Sequence, residues 1–256
     1  MKAIGTRVCF VLSLVLTTSV QAQLVNIENK RMLDDSIKFT LMDDFSFRLT
    51  DNNGDYIYQL ANTLTTQVKT KNLNHNFFFT GNYHLIRSNE KDFSNIWMMH
   101  LRYNFRITQH WRIESFLQLQ EDQLLDISKR KLWGIGVRWR IINNHNIHLN
   151  FGTTYMYEKE QSEKFNQSDY YHRNSTYCAF SYKLPKRNIS VSNTLYFQPL
   201  FTNINDHRIL EEFRLAVQLT KAVSFITTLI YYEDAITPSS LSQSSTNALM
   251  GIGVVL

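Results

Sequence analysis

Beyond the first few dozen residues, apolar and polar side chains alternate along this chain in a series of separate stretches. In one of them Trp111, Ile113 and Leu117 fall on one parity, whereas Arg112 and Glu114 fall on the other. Because successive side chains of a strand point to opposite faces, each stretch predicts a strand with one apolar and one polar face. Twelve strands are predicted, at residues 37–50, 56–68, 75–86, 95–107, 111–123, 131–142, 146–159, 172–184, 188–200, 207–219, 222–233 and 246–256.

The connections between these strands form a second pattern, in which short turns alternate with longer polar segments. Short turns are predicted at 108–110, 143–145, 185–187 and 220–221, and longer loops at 87–94, 124–130, 160–171, 201–206 and 234–245. Short periplasmic turns and longer extracellular loops are typical of outer-membrane barrels. The expected fold is therefore all-β, a closed antiparallel transmembrane β-barrel of about twelve strands over residues 36–256, with both termini periplasmic.

The first 35 residues lack this alternation. Lys2 and Arg7 precede a short apolar run, and Val20, Gln21 and Ala22 make a small-residue cleavage site, so residues 1–22 are predicted to be a signal peptide. Residues 23–35 are polar and unpatterned, and they are predicted to be a periplasmic segment. The expected location is the outer membrane of a Gram-negative bacterium, reached by the general secretory route.

The polar parity predicts which charges face the lumen. We assign to the lumen Arg102, Arg106, Arg112, Glu114, Arg138, Arg140, Glu158, Glu212 and Arg214. Two interpretations are open. In the first, Arg106, Arg112, Arg138 and Arg140 form a basic stripe near the periplasmic mouth, which would attract anions to a constriction. In the second, the arginines neutralise Glu114, Glu158 and main-chain groups, and the side chains fill a small barrel.

Three features fit the alternation poorly. Asp43 falls on the outward parity, where a carboxylate would face lipid, and a bulge between Asp43 and Asp44 would correct this. Glu211 also falls outward, near a strand end where charge is less unfavourable. The eighth predicted strand alternates only weakly.

A soluble, lipocalin-like barrel with its apolar parity inside is the structural alternative.

Composition narrows the function classes. Removal of the predicted signal peptide lowers the net charge from +5 to +3, which is mild, and the basic residues are dispersed over the strands, so nucleic acid is not expected as a partner. Cys178 is the one cysteine after the predicted signal, and no Cys/His spacing indicates a metal site or cofactor. Asp206 with His207, or His172 with Ser175, could be drawn as parts of a catalytic set, but such pairs of common residues arise by chance. We therefore do not expect an enzyme. Expected partners are membrane lipid, the barrel-assembly machinery and a small solute; the oligomeric state stays open.

Short motifs along the mature chain resemble a known family of small outer-membrane barrels of uncharacterised function, called salt-induced outer-membrane proteins, in the form common in Bacteroidetes-type bacteria. The resemblance rests on residues 27–32 (IENKRM), 100–104 (HLRYN), 111–116 (WRIESF), Gly152 with 155–158 (YMYE), 196–199 (YFQP), and Asp206 with Arg208 and Glu212. It implies a barrel but no substrate or active site. The expected function is a small-solute channel or a salt- or osmotic-stress-responsive envelope protein. The alternative is a closed structural or adhesion barrel that acts through its outer loops.

Overall fold

The computed structural model describes residues 37–52, 55–88, 92–122, 127–162, 167–184, 187–236 and 243–255, which form one closed barrel of antiparallel strands. The predicted signal peptide (1–22) and periplasmic segment (23–35) lie outside the described residues. No helix within the described part is long and apolar enough to cross a membrane. The strands are β1 (Phe39–Asn52), β2 (Asp55–Lys69), β3 (His75–Ser88), β4 (Asp92–Arg106), β5 (Trp111–Asp122), β6 (Ile127–Asn143), β7 (Ile147–Ser162), β8 (Gln167–Lys183), β9 (Ile189–Pro199), β10 (His207–Gln218), β11 (Val223–Asp234) and β12 (Gln243–Val255).

Each strand pairs with its neighbours in sequence, and β1 pairs with β12 to close the cylinder. Phe39 and Val255 therefore lie at the same end of the barrel, which we name the terminal end; the opposite end is the distal end. The twelve predicted strands and the closed antiparallel barrel are confirmed. The assignment of the terminal end to the periplasm stays a prediction.

The predicted long loops are wrong at three places, because much of their length is strand. β7 and β8 are connected by residues 163–166 alone, where a loop over 160–171 was expected. β3 and β4 are connected by 89–91, and β5 and β6 by 123–126. Main-chain pairing continues past the apolar belt into polar hairpins, whose two faces are both polar, so the alternation that marks a strand disappears there.

The apolar parity faces outward, as predicted. Along β5 buried side chains alternate with exposed or half-buried ones, and Trp111 is exposed. Trp111 stacks on Trp139 of β6, with ring centroids 5.7 Å apart, at the terminal edge of the belt. A belt of exposed apolar side chains suits lipid rather than water. The soluble, lipocalin-like alternative is wrong, because it requires these side chains to face inward.

Asp43 remains on the outer face without a bulge. The pairing of β1 with β2 runs in unbroken register from Phe39 to Asn52, so the predicted register shift between Asp43 and Asp44 is wrong. The Asn62 side chain instead donates a hydrogen bond to Asp43 Oδ1 at 2.8 Å. This amide gives the outward-facing carboxylate a hydrogen-bond partner, so the strand can keep its register.

Glycines on the lumen side make room for aromatic rings that lie flat against the wall. The Phe116 ring covers Gly134 and the Tyr177 ring covers Gly152, each from the neighbouring strand. A Cβ at residue 152 would lie 2.3 Å from Tyr177 Cε1, which is far too close. Aromatic covering of a sheet glycine stabilises strand pairing and fixes its register.

We expect Gly152→Ala to destabilise the barrel by about 1–3 kcal/mol, because the new methyl group displaces the packed Tyr177 ring. The measurement is equilibrium urea unfolding of the refolded protein in vesicles, followed by tryptophan fluorescence. Gly81→Ala is the matched control, since a Cβ there meets Phe79 at an ordinary 3.6 Å. Equal effects of the two substitutions would show that the Tyr177 ring does not need residue 152 to be glycine.

Candidate functional site

All nine charges assigned to the lumen lie on the inward parity of their strands. Arg102, Arg112, Glu114, Arg138, Glu158 and Glu212 are buried, whereas Arg106, Arg140 and Arg214 are half-buried. Three of the nine (Arg102, Glu114 and Arg138) belong to a buried cluster nearer the terminal end. Glu158 belongs to a second buried cluster nearer the distal end, and Arg214 to an ion pair that lies apart from both.

The first cluster, named the Glu114 cluster, has the carboxylate of Glu114 at its centre. Arg102 Nη1 lies 3.2 Å from Glu114 Oε2, and Arg138 Nη1 lies 3.5 Å from Glu114 Oε1. The Tyr177 hydroxyl donates to Glu114 Oε2 at 2.7 Å from β8, three strands away in the barrel. Arg138 also donates to the Asn150 side chain. Glu114 is 0 % exposed, so these donors replace the water that a charged carboxylate otherwise needs.

Aromatic rings hold the guanidinium of Arg102 in this cluster. Its Cζ lies 5.2 Å from the centre of the Phe116 ring and 6.0 Å from the centre of the Tyr177 ring. These are the two rings that lie over Gly134 and Gly152. A cation over an aromatic face gains electrostatic stabilisation, and the gain is larger where water is excluded. The glycines, the rings and the ion pairs therefore form one packed unit.

The second cluster, named the Glu158 cluster, lies toward the distal end and contains three arginines. Arg130 and Arg208 bind Glu158 at 2.5 and 2.8 Å, and the Arg173 guanidinium lies 3.7 Å from it. Glu160 accepts ion pairs from Arg130 and Arg208 at 3.0 and 3.4 Å. The cluster ends at Asp234, 2.8 Å from Arg208, and at Asp206, 2.8 Å from Arg173.

The separate ion pair joins β10 to β1, which lie three strands apart in the barrel. Arg214 Nη1 donates to Asp44 Oδ2 at 2.9 Å, and Nη2 donates to Oδ1 at 3.4 Å. The two side chains are partly exposed, unlike the members of the Glu158 cluster. A two-point contact of this kind fixes the orientation of both groups.

Three of the four arginines of the predicted basic stripe form a row across neighbouring strands. Arg106 is the register partner of Arg112, and Arg112 is the partner of Arg138. Arg140 lies two residues further toward the terminal end of β6. Arg106 donates to the Asn72 carbonyl in the β2–β3 turn at 3.0 Å. The lumen is thus rich in arginine near the terminal end and rich in carboxylates near the distal end.

The sequence prediction missed most of the Glu158 cluster. Arg130 and Glu160 were assigned to loops, although they continue the inward parity of Arg138 and Glu158. Arg173 was missed because the eighth strand alternates weakly, and Arg208 entered only as part of the family resemblance. Extending the parity of each strand through its flanking polar residues would have placed Arg130 and Glu160 in the lumen.

The catalytic sets that could be drawn from the sequence are not assembled. His172 faces outward, where its Nδ1 bonds the Tyr155 hydroxyl, whereas Ser175 lies on the lumen side and is buried. Asp206 is held by Arg173, and His207 Nδ1 lies near carbonyl groups of its own loop. Among the residues that the structure describes, no group of His, Cys, Asp and Glu is arranged to hold a metal ion.

Burial of lumen side chains extends around the whole circumference. Each strand contributes at least one almost completely buried inward residue: Thr40, Gln67, Asn76, Asn104, Glu114, Arg138, Asn150, Tyr177, Thr194, Glu212, Ile226 and Gly253. Beside β1 and β2, further toward the distal end, Asp44, Ser46, Ala61 and Thr63 are only half-buried. The lumen therefore has almost completely buried residues on all twelve strands, which we name the filled layer. Beside β1 and β2 it also has a sector that water reaches, which we name the β1–β2 sector.

Comparisons with known proteins agree with the fold. The sequence matches the family described as "Protein of unknown function, DUF481" over residues 58–255, and no curated protein matches it. The structure is similar to the translocator domain of the autotransporter NalP from Neisseria meningitidis at 9% identity and a TM-score of 0.50, covering 87% of this chain and 90% of that one. The KdgM porin (9% identity, TM-score 0.47) and the NanC porin (12%, 0.46) each cover 84% of this chain and 98% of their own. The similarity to the NalP translocator domain, at 9% identity, shows a shared barrel fold and nothing finer.

We expect Glu158→Gln to destabilise the barrel by about 3–5 kcal/mol, because it leaves buried guanidinium groups without their shared counter-charge. Urea unfolding of the refolded protein in vesicles measures the change. Glu233→Gln is the control, since Glu233 accepts a hydrogen bond from Tyr231 on the exposed side of β11. A loss no larger than that of the control would show that the Glu158 cluster contributes little to stability.

Proposed function

Because the chain belongs to the DUF481 family, whose function is unknown, we propose its function from the barrel itself: an outer-membrane barrel whose lumen is closed to free axial diffusion. The belt of exposed aromatic and aliphatic side chains supports the membrane location. The buried layer supports the closure. This is the second of the two interpretations of the lumen charges, in which ion pairs fill the interior.

The burial of Glu114 and Glu158 is the observation that carries this proposal. A carboxylate that lined a water-filled pore would keep part of its hydration, whereas both of these are 0 % exposed and surrounded by arginines. Opening a path through either cluster would separate charges that are no longer solvated, which is strongly unfavourable. In a closed barrel, activity is expected at the distal hairpins and in the β1–β2 sector. The role in salt or osmotic stress that the family resemblance implies stays a prediction.

A gated anion channel is the second candidate, and the arginine row favours it. Arg106, Arg112 and Arg138 form a row of three positive charges, whereas the Glu114 cluster contains a single carboxylate, so an opened lumen would carry excess positive charge near its terminal end. Charged rings of one sign select ions of the other sign. This function requires a rearrangement that moves the buried side chains toward the wall. No catalytic activity forms part of either proposal.

We expect the refolded mature protein to give no steady single-channel conductance in planar bilayers. A variant that combines Arg102→Ala, Glu114→Ala and Arg138→Ala removes the Glu114 cluster together with its charges, and it is expected to conduct. Circular dichroism would first establish that both proteins are folded. Steady conductance of the unaltered protein would contradict the closed lumen and favour the channel.

The channel hypothesis makes its own prediction about Arg138. If a conducting state exists, Arg138→Glu should shift the reversal potential in a salt gradient toward cation selectivity, because it reverses a charge in the arginine row. Arg187→Glu is a control outside the strands, in the turn before β9. An unchanged reversal potential in the Arg138 variant would remove this residue from the conducting path.

A further inference from the structure

The closing seam between β1 and β12 is paired over only part of its length. Register pairs join Met42 to Val255 and continue to Phe45 with Ile252, and there the pairing ends. The same two strands are paired much further on their other sides. β1 pairs with β2 as far as Asn52, and β12 pairs with β11 as far as Gln243.

An uninterrupted register would have continued through seven more pairs in the described part of both strands, from Ser46 with Gly251 to Asn52 with Ser245. It would set Ser46 opposite Gly251, Phe47 opposite Met250 and Leu49 opposite Ala248. Just beyond the last pair the strands are still close, since a Cβ added at Gly251 would lie 3.0 Å from the Phe45 carbonyl oxygen and 3.3 Å from Ser46 Cβ. From that point toward the distal end, no register pair joins β1 to β12 in the described part of the two strands.

The outward side chains along this gap are widely exposed. Phe47 is 58 % exposed, Leu49 60 % and Met250 66 %. These apolar groups would contact the hydrocarbon of the membrane. Sheet edges facing hydrocarbon are strongly unfavourable, because the main-chain groups find no hydrogen-bond partners there. The gap therefore favours a molecule with two parts: an apolar part that contacts Phe47 and Met250, and a polar part that offers hydrogen bonds to the strand edges from the lumen side.

The lumen behind the gap is the β1–β2 sector, which is not filled. Its inward side chains are small or polar, with Ser46 and Ala61 beside Gly251 of β12, and all three are half-buried. The ion pair of Arg214 with Asp44 lies at the lower limit of the gap, since Asp44 is the register partner of Gly253 within the last paired segment. The pair ties β1 to β10 where β1 leaves β12.

We propose that this gap is a lateral opening, through which a single-chain amphiphile passes between the bilayer and the β1–β2 sector. The apolar chain lies between Phe47 and Met250, and the polar head group enters the sector beside Ser46 and Thr63. The route is lateral and is separate from the axial closure proposed above, so either proposal can fail without the other.

A reversible cross-link across the gap tests this opening. Cysteines replace Leu49 and Ala248 on opposite sides of the gap, in a background carrying Cys178→Ser. The matched control keeps Leu49→Cys and pairs it with Tyr58→Cys on the bonded β1–β2 side, where these residues are register partners. The probe is dansyl-labelled undecanoic acid added to vesicles that contain the refolded barrel, and binding is read from energy transfer between tryptophan and the dansyl group.

We expect the control cysteines to form a disulfide readily and the gap cysteines to form one slowly. Once oxidised, the gap variant should bind the probe at least about tenfold more weakly, and reduction should restore binding. The control should bind equally well in both states. Undiminished binding by the oxidised gap variant would overturn the proposal.

Two other results would also overturn the opening. Disulfide formation in the gap variant as fast as in the control would mean that the strands are paired in the membrane. Disulfides between two chains, seen as dimers on non-reducing gels, would mean that a second copy covers the gap and not an amphiphile. Circular dichroism of the oxidised and reduced proteins would confirm that both remain folded barrels.

Discussion

The absence of hydrogen-bonding solvent in the hydrocarbon layer is the constraint on which this structure depends. Every main-chain donor and acceptor at that depth needs a partner within the protein, and a sheet provides one only if it closes on itself. Closure fixes the two faces of every strand at once. The apolar parity meets lipid and the polar parity turns inward, where many of its side chains, Glu114 and Glu158 among them, are buried from water.

The interior then has to neutralise its own charge. Glu114 and Glu158 each accept ion pairs from arginines on more than one strand, so the two clusters tie distant parts of the wall together. Such pairs stabilise less than their number suggests, because desolvation offsets much of the attraction. Removing one partner is nevertheless unfavourable, which makes the arrangement specific. The flat rings of Phe116 and Tyr177 over glycines bring these groups within reach of one another.

The seam between β1 and β12 departs from the closing constraint. On their other sides these strands are paired over the whole length of their shorter member, β1 with β2 and β12 with β11, whereas this pairing stops after Phe45 and Ile252. The filled layer and the unpaired gap lie on different parts of the wall. The proposed axial closure and the proposed lateral route therefore rest on different residues of the barrel.

The alternation of apolar and polar residues by itself determined the strand number, the antiparallel order and the inward direction of charges such as Arg102 and Arg138, because the side-chain period of a strand is fixed by its backbone. It did not show that the polar hairpins continue as strand, because polar residues on both faces leave no alternation. For that reason Arg130 and Glu160 were assigned to loops and not to the lumen. The partners of each charge were decided only by the tertiary structure. Tyr177 reaches Glu114, and Arg214 reaches Asp44, because the closed cylinder brings together side chains from strands that are far apart in sequence. The length of the β1–β12 seam was decided in the same way, since it depends on how the first and last strands meet after all the others have paired.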